Sequence, residues 1–587
     1  MRKQTKLVAV LSASALLAMG ASMTSFAATG WTQEDGTWYY YDRDGSRVTD
    51  EWKKSGNYWF WLDDDGEMAT DMLVEDDDDY YYVDVNGVMV TNRWVAVDNE
   101  DAGDEDEPDQ YWYYFQSNGK AYKGSDNNST TKFKTINGKK YAFDDEGRML
   151  YGWVQDGERQ TGDDDWTDAE YYLGDENDGA MSTGWRFINI LDENWKEDDD
   201  TFDEDQDRWF YFKSNGKRYY NTDSSKDYVT KTINGKKYGF DENGRMIVEW
   251  NISSYSYLSD DTRTTVSNTR EWAYFSSPED GARKTKGWFK VIPDEDLDAE
   301  KYDDAEEFWY FSDGSGNLYA NVIKTISGKK YAFDEYGRMM DGLRLVEFAK
   351  NTTNNAISTK DIESSYEDDT SATYNFETED NLDATIKKIM EDGDANKMAF
   401  MYFGEDGSVK TGKQSIDIDG DKIDFEFNKS GSKKGQGRNE VDESDKVVYA
   451  MGKKLKADSD NKYEIVLEVY GLDDKGNDTA NTSLVSITTE EYIGALASEG
   501  NGEYVSVKNN NEEDNRYFYG KDGAKLEDGT KVKQAKLNRW ADQKVKDAWV
   551  VNASGTLVKS KNKCKDGDDY IINVDNYKIQ EIYEELD

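Results

Sequence analysis

A unit first seen at residues 30–52, GWTQEDGTWYYYDRDGSRVTDEW, recurs along the chain, and that self-similarity constrains the fold more than any other feature. The unit reads as a short aromatic strand over 38–41, a turn carrying Asp42 and Gly45, a second short strand and a closing Trp. Aromatic runs bounded by Asp and Gly are hairpin signals. A lone hairpin of this size cannot bury its aromatic face, so each copy needs a neighbour to stack on. The frame returns at 52–72, 80–94 and 112–122. A second form, TINGKKYAFDDEGRMLYGW at 135–153, recurs at 232–250 and again from Thr325, ending there in Leu343. Trp38, Trp59, Tyr80, Trp112, Trp209 and Trp309 each precede a turn glycine by seven residues. These repeats predict an all-β chain, an elongated solenoid of stacked β-hairpin repeats with a degenerate β-rich C-terminal part.

The KTI copies open at Lys134, Lys231 and Lys324, at intervals of 97 and 93 residues. Each interval holds three hairpin-like units, the period expected of about three hairpins per turn. Acidic segments at 96–110, 156–169, 189–207 and 293–307 interrupt the larger units and are expected to be solvated loops. The pattern divides the chain into a leader at 1–28, hairpin repeats with acidic inserts at 29–345, a polar connecting segment at 346–397, and degenerate repeats with a terminal cap at 398–587. Within the connecting segment, 381–390 is helix-compatible, and so is 526–548 further on.

The leader combines Arg2, Lys3 and Lys6, an apolar run over 7–19 and small residues ending at Ala27, the order of a secretory signal peptide. Its apolar run is shorter than the ~20 residues a bilayer requires. No later segment reads as membrane-spanning, and the sequence ends without a hydrophobic sorting tail, so attachment to a surface is expected to be non-covalent. Only 36% of the chain is hydrophobic while 14% is aromatic, so the core must be built largely of Trp, Tyr and Phe. Cys564 is the only cysteine and has no intramolecular partner.

A formal charge of −51 argues against nucleic-acid binding and favours cationic ligands. The chain has no histidine, which removes Ser-His-Asp and Cys-His catalysis and His-ligated zinc. Nucleotide-binding and nucleophile-elbow motifs are missing from any suitable strand-to-helix context. A non-catalytic protein without a cofactor is expected. Residues Ser415, Asp417, Asp419, Gly420, Asp421 and Glu426 fit the spacing of a Ca²⁺ loop. They also align, as IDGDK, with the INGKK hairpins, and the hairpin reading is preferred.

The units at 30–52 and 52–72 resemble the choline-binding, or cell-wall-binding, repeat family, whose pattern runs roughly GW, spacer, GxWYYF, Gly turn and GW again. The INGKKYAF units look more like the related repeats of clostridial glucosylating toxins and streptococcal glucan-binding proteins. The resemblance implies a left-handed solenoid in which ligand sits between consecutive hairpins, caged by aromatic rings. Carried onto this sequence, it implies one cage from Trp31, Trp38 and Trp59, and the next from Trp52, Trp59 and Tyr80 with Met68 nearby. Trp94 and Trp112 are further ligand-contact candidates. Lys140, Lys237 and Lys330 stand where the first aromatic of the strand would be, and a cation there would repel choline. The implied function is binding of cell-wall polymers, choline-bearing teichoic acid or another wall glycan, by a protein held non-covalently on the bacterial surface. The alternatives are a glucan or host-glycan adhesin and a structural spacer without ligand.

Overall fold

The computed structural model describes residues 29–584 except 101, 104–106, 125–129, 194–201, 254–268, 349–356, 361–373, 393–394, 396, 474, 499–536 and 569. The leader therefore lies outside the described residues. So does much of the connecting segment, with part of the stretch at 526–548.

The hairpins form as the repeat predicts. β1 (Gly30–Glu34) pairs with β2 (Thr37–Tyr41), β3 (Glu51–Ser55) with β4 (Tyr58–Leu62), β5 (Met72–Asp76) with β6 (Asp79–Val83), and β7 (Arg93–Asp98) with β8 (Gln110–Phe115), all antiparallel. The tight turns of the first three use left-handed backbone, which favours Gly, Asp and Asn; Asp35 and Gly36 have φ of 48° and 95°, and Asp77 and Asp78 of 51° and 61°. A second turn follows each pair. In it an Asp side chain folds back on the backbone: Asp84 Oδ1 accepts from the N–H groups of Asn86 and Val88 at 2.9 and 3.0 Å.

Successive hairpins are joined by one repeated backbone hydrogen bond. The residue after the turn donates its N–H to the carbonyl of the first strand aromatic of the previous hairpin: Met68 to Trp38 at 2.8 Å, Met89 to Trp59 at 2.9 Å, Ala121 to Tyr80 at 2.7 Å and Met149 to Trp112 at 2.7 Å. The KKY units keep the bond although a lysine replaces the aromatic, as Met181 N–H to Lys140 O at 2.8 Å shows. The described residues are thus almost all β, and the repeats form small stacked hairpin sheets.

The chain divides into two compact units, residues 1–248 with 277–282, and residues 249–276 with 283–587. The acidic inserts are not uniformly solvated loops. The insert at 189–207 lengthens a hairpin, Gly184–Glu193 against Phe202–Phe212. Its Asp192 is fully buried, with Arg245 Nη1 at 2.5 Å and Arg208 Nε at 2.7 Å. Burial raises the Asp192 carboxyl's pKa, but the two guanidinium groups hold it below the usual carboxylate range. In the other unit the insert at 293–307 carries a short helix, Ala299–Asp303, and its buried Asp298 pairs with Arg338 at 3.0 Å. Both arginines belong to the GRM of a KKY-type unit, and each also binds the Asp four residues before it.

The C-terminal part is β-rich, but its sheets are broader than the hairpins. It holds a five-stranded sheet over 412–454, a four-stranded one over 463–552, and the strands Lys561–Lys565, Tyr570–Asp575 and Lys578–Glu584. Aliphatic residues outnumber aromatics in its core. Phe425, Ile465, Val550, Cys564 and Ile572 share one core with Leu382 and Ile386 of helix Glu379–Glu391. That helix covers the helix-compatible stretch at 381–390. Thr378 caps it by accepting from Asn381 N–H, and the buried Lys453 pairs with its Glu379 and Asp383. The second helix-compatible stretch differs, because Gln543–Asn552 is a strand whose alternating burial fits a sheet face. The calcium-like residues at 415–426 form a hairpin, Gly412–Ile418 against Asp421–Phe427, with Asp417 opposite Lys422 and Glu426 opposite Lys413.

Candidate functional site

Pleating decides which rings can meet. Trp59 and Trp61 share one face of their hairpin and Phe60 the other, because side chains alternate along a strand. Trp52 stands opposite Trp61 in the register and Lys54 opposite Trp59, so Trp52 and Trp59 lie on the same face. Stacking then brings the middle aromatic of the next hairpin against Trp52: the Tyr81 centroid lies 5.1 Å away at an interplanar angle of 59°. Met89 completes the group, packed with Trp52 and Tyr81. Trp52, Trp59, Tyr81 and Met89 line one open cleft of about 710 Å³. Trp59 is 40% exposed, so the cleft is open to a ligand. The Trp52 indole N–H is held by Asp76 Oδ2 at 3.1 Å, which fixes the ring's orientation.

The same four-residue group recurs. Trp94, Trp112, Tyr141 and Met149 form one copy, Trp185, Trp209, Tyr238 and Met246 another, and Trp288, Trp309, Tyr331 and Met339 a third. Their Trp-to-Tyr centroid distances are all 4.8 Å, at 65°, 69° and 66°. In each, the Met N–H donates to the carbonyl of the strand Trp, at 2.7, 2.9 and 2.7 Å. The first hairpins give a variant with Phe as the third ring: Trp31 meets Phe60 at 5.3 Å, and Met68 is bonded through its backbone to Trp38.

Other positions keep the frame but change its residues. Leu73 and Tyr80 replace the two tryptophans beside Tyr113 and Ala121. At Trp153, the Met position is taken by Arg218, whose buried guanidinium lies 5.6 Å from the Trp153 ring and donates to the Trp166 carbonyl. Burial lowers the Arg218 pKa to about 10. An internal cation therefore sits beside the Trp153 ring.

The structure thus brings Trp52 and Trp59 together, and Trp94 with Trp112. The third ring differs from the expected one by a single residue. Tyr80 packs with Leu73 and Tyr82 in a different cluster, while Tyr81 faces the cleft. In the same way Phe60, not Trp59, meets Trp31, and Met89, not Met68, serves the Trp52 cleft. The KKY units also supply rings that sequence reasoning missed, since Tyr141, Tyr238 and Tyr331 close the preceding cages. Strand alternation was the signal that could have found them, because one step along a strand moves a side chain to the other face.

The comparisons with known proteins meet this geometry. A family model described as a choline-binding repeat matches residues 28–71 and 48–94. Residues 28–94 are choline-binding repeats. These are the residues that build the Trp31 and Trp52 cages. Among solved structures, choline binding protein F from Streptococcus pneumoniae is 16% identical, covering 68% of this chain and 97% of that one, with a TM-score of 0.29. The choline-binding domain of CbpL from Streptococcus pneumoniae is 22% identical over 44% of this chain and 97% of that one, with a TM-score of 0.23. The modular autolysin LytC of the same organism is 18% identical with a TM-score of 0.28, and this chain spans only 55% of its length. A comparison with curated protein sequences finds no match. Among the described residues, no helix is long and apolar enough to cross a membrane.

Proposed function

We propose that this chain is a non-catalytic bacterial surface protein that binds cell-wall polymers by caging their quaternary-ammonium groups in the inter-hairpin sites. The observation that carries the reading is the recurrence of Trp, Trp, Tyr and Met, with Trp-to-Tyr centroid distances of 4.8 to 5.1 Å, across hairpins separated by unrelated inserts. Core packing alone does not require a tryptophan 40% exposed beside a second tryptophan and a tyrosine. A trimethylammonium group has no hydrogen to donate, so aromatic faces are the natural means of holding it. Each well-placed ring contributes about 0.5–2 kcal/mol. Three rings and a thioether give single-site affinity on the order of millimolar. Several such sites on one polymer turn weak contacts into firm attachment. The chain's negative charge draws the cationic head group. Export through the leader and non-covalent retention on the wall belong to the same reading.

The test is intrinsic Trp fluorescence of the full chain titrated with choline, beside sedimentation with choline-bearing cell walls. Saturable quenching in the millimolar range is expected, with release of wall-bound protein by the same choline concentrations. Unchanged fluorescence in the folded chain, or wall binding indifferent to choline, refutes the reading.

A further inference from the structure

Lys453 is the only buried lysine among the described residues, 2% exposed. It lies on Lys453–Lys454, the central strand of the five-stranded sheet, opposite the buried Phe425 and Ala450 of the strands on either side. Its Nζ meets two carboxylates of helix Glu379–Glu391, Asp383 Oδ1 at 2.5 Å and Glu379 Oε1 at 3.0 Å. Four residues apart, these acids are neighbours on one face of the helix. Leu382 and Ile386 anchor that helix in the shared core, and Lys456 Nζ holds the other Glu379 oxygen at 2.9 Å. The lysine–carboxylate pairs of the repeats are of another kind: Lys139 with Asp178 and Lys236 with Asp280 are exposed on both sides.

An ammonium taken out of water is disfavoured, and moving one proton from Lys453 Nζ to Asp383 turns the ion pair into an amine and a carboxylic acid, which burial of the lysine favours. A nucleophile and a carboxyl fixed in contact react with an effective molarity of about 10⁵–10⁸ M. We propose that Lys453 and Asp383 are joined by an intramolecular amide bond, with Glu379 carrying the proton. The Nζ lone pair forms the bond to Asp383 Cγ. Glu379 takes the proton that the nitrogen sheds and returns it to the Asp383 hydroxyl, the Cγ–O bond breaks, and one water leaves. The Asp383 side chain is 52% exposed and lines a cavity of about 500 Å³, so the water has an exit. The condensation needs no oxidant and no co-reactant. The bond ties the helix to the sheet across 70 residues of sequence, whatever the cages bind.

The test is intact-mass spectrometry of the purified full chain with tryptic peptide mapping, beside its Lys453→Arg and Glu379→Gln variants. The wild-type chain is expected to be lighter than its sequence by one water and to release a branched peptide joining the segment of Asp383 to that of Lys453. Lys453→Arg keeps the charge but cannot form the amide, so two linear peptides are expected there. Glu379→Gln is expected to fold, as read by circular dichroism, and to keep its water. Two linear peptides from the folded wild-type chain mean an ordinary ion pair and overturn the proposal. A water lost without a branched peptide overturns it too, since ring closure at Asp383 alone would account for the mass. A branched peptide from Glu379→Gln overturns the part given to Glu379.

Discussion

Replacing Arg245 by Met should open the hairpin stack around the Trp185 cage. Its guanidinium is 11% exposed and holds Asp192 of the acidic insert and Asp241 of its own turn, each at 2.5 Å, with Glu193 at 3.8 Å. Asp192 retains Arg208, but Asp241, already pushed toward protonation by burial, loses its charged partner. Removing one member of a buried ion pair costs about 3–5 kcal/mol, because the remaining charge stays desolvated. The retained Arg208 contact places the expected loss at the lower end, about 3 kcal/mol. Stacked repeats contact mainly their neighbours, so the loss should be local. Urea unfolding would give the magnitude, and amide hydrogen exchange would show faster opening over 184–248 with little change over 30–83. A loss below about 1 kcal/mol, or faster exchange spread evenly along the chain, would contradict the role given to this arginine as the latch of the insert.

Other consequences follow from single residues. In a chain labelled with 5-fluorotryptophan, Tyr81→Ala should weaken choline binding at the Trp59 resonance about tenfold, the worth of one ring, whereas Tyr80→Ala should leave that affinity unchanged; the reverse order would place the wrong face in the cleft. A Cβ on Gly119, whose φ is 85°, would lie 2.5 Å from Met89 Sδ, so Gly119→Ala should cost about 1–3 kcal/mol by thermal unfolding and disturb the Trp52 cage first. Burial raises the Asp144 carboxyl pKa to about 6, so the ionised form is penalised in the fold. Its contribution to stability therefore grows as pH falls from above 6 toward the unfolded value near 4. Asp144→Asn should stabilise the chain by about 1–3 kcal/mol at pH 8, and the advantage should vanish near pH 4 in urea titrations.

The hairpin array was legible because Gly, Asp and aromatic residues recur at fixed distances, and turns with left-handed backbone leave few other residues to choose from. The pairing of Trp52 with Trp59 was legible for the same reason. The third ring was misplaced because the repeat period does not tell which face of the next strand meets the previous hairpin; that depends on register across a stack, and Tyr80 and Tyr81 are equally aromatic. Asp192 and Asp298 looked like members of solvated acidic runs, since their partners Arg245 and Arg338 lie 53 and 40 residues further on. The broad C-terminal sheets were hidden for a related reason. Their worn hairpins keep the Gly turns, but aliphatic strands pair beyond the hairpin to share one core.

The most direct test of the central claim is a crystal structure of the full chain grown with saturating choline. The account predicts a tetrahedral head group bounded by Trp52, Trp59 and Tyr81, with equivalents at Trp94, Trp185 and Trp288, and none at Trp153, where Arg218 fills the place. Ligand-free cages in that crystal, or choline bound only outside them, would contradict it.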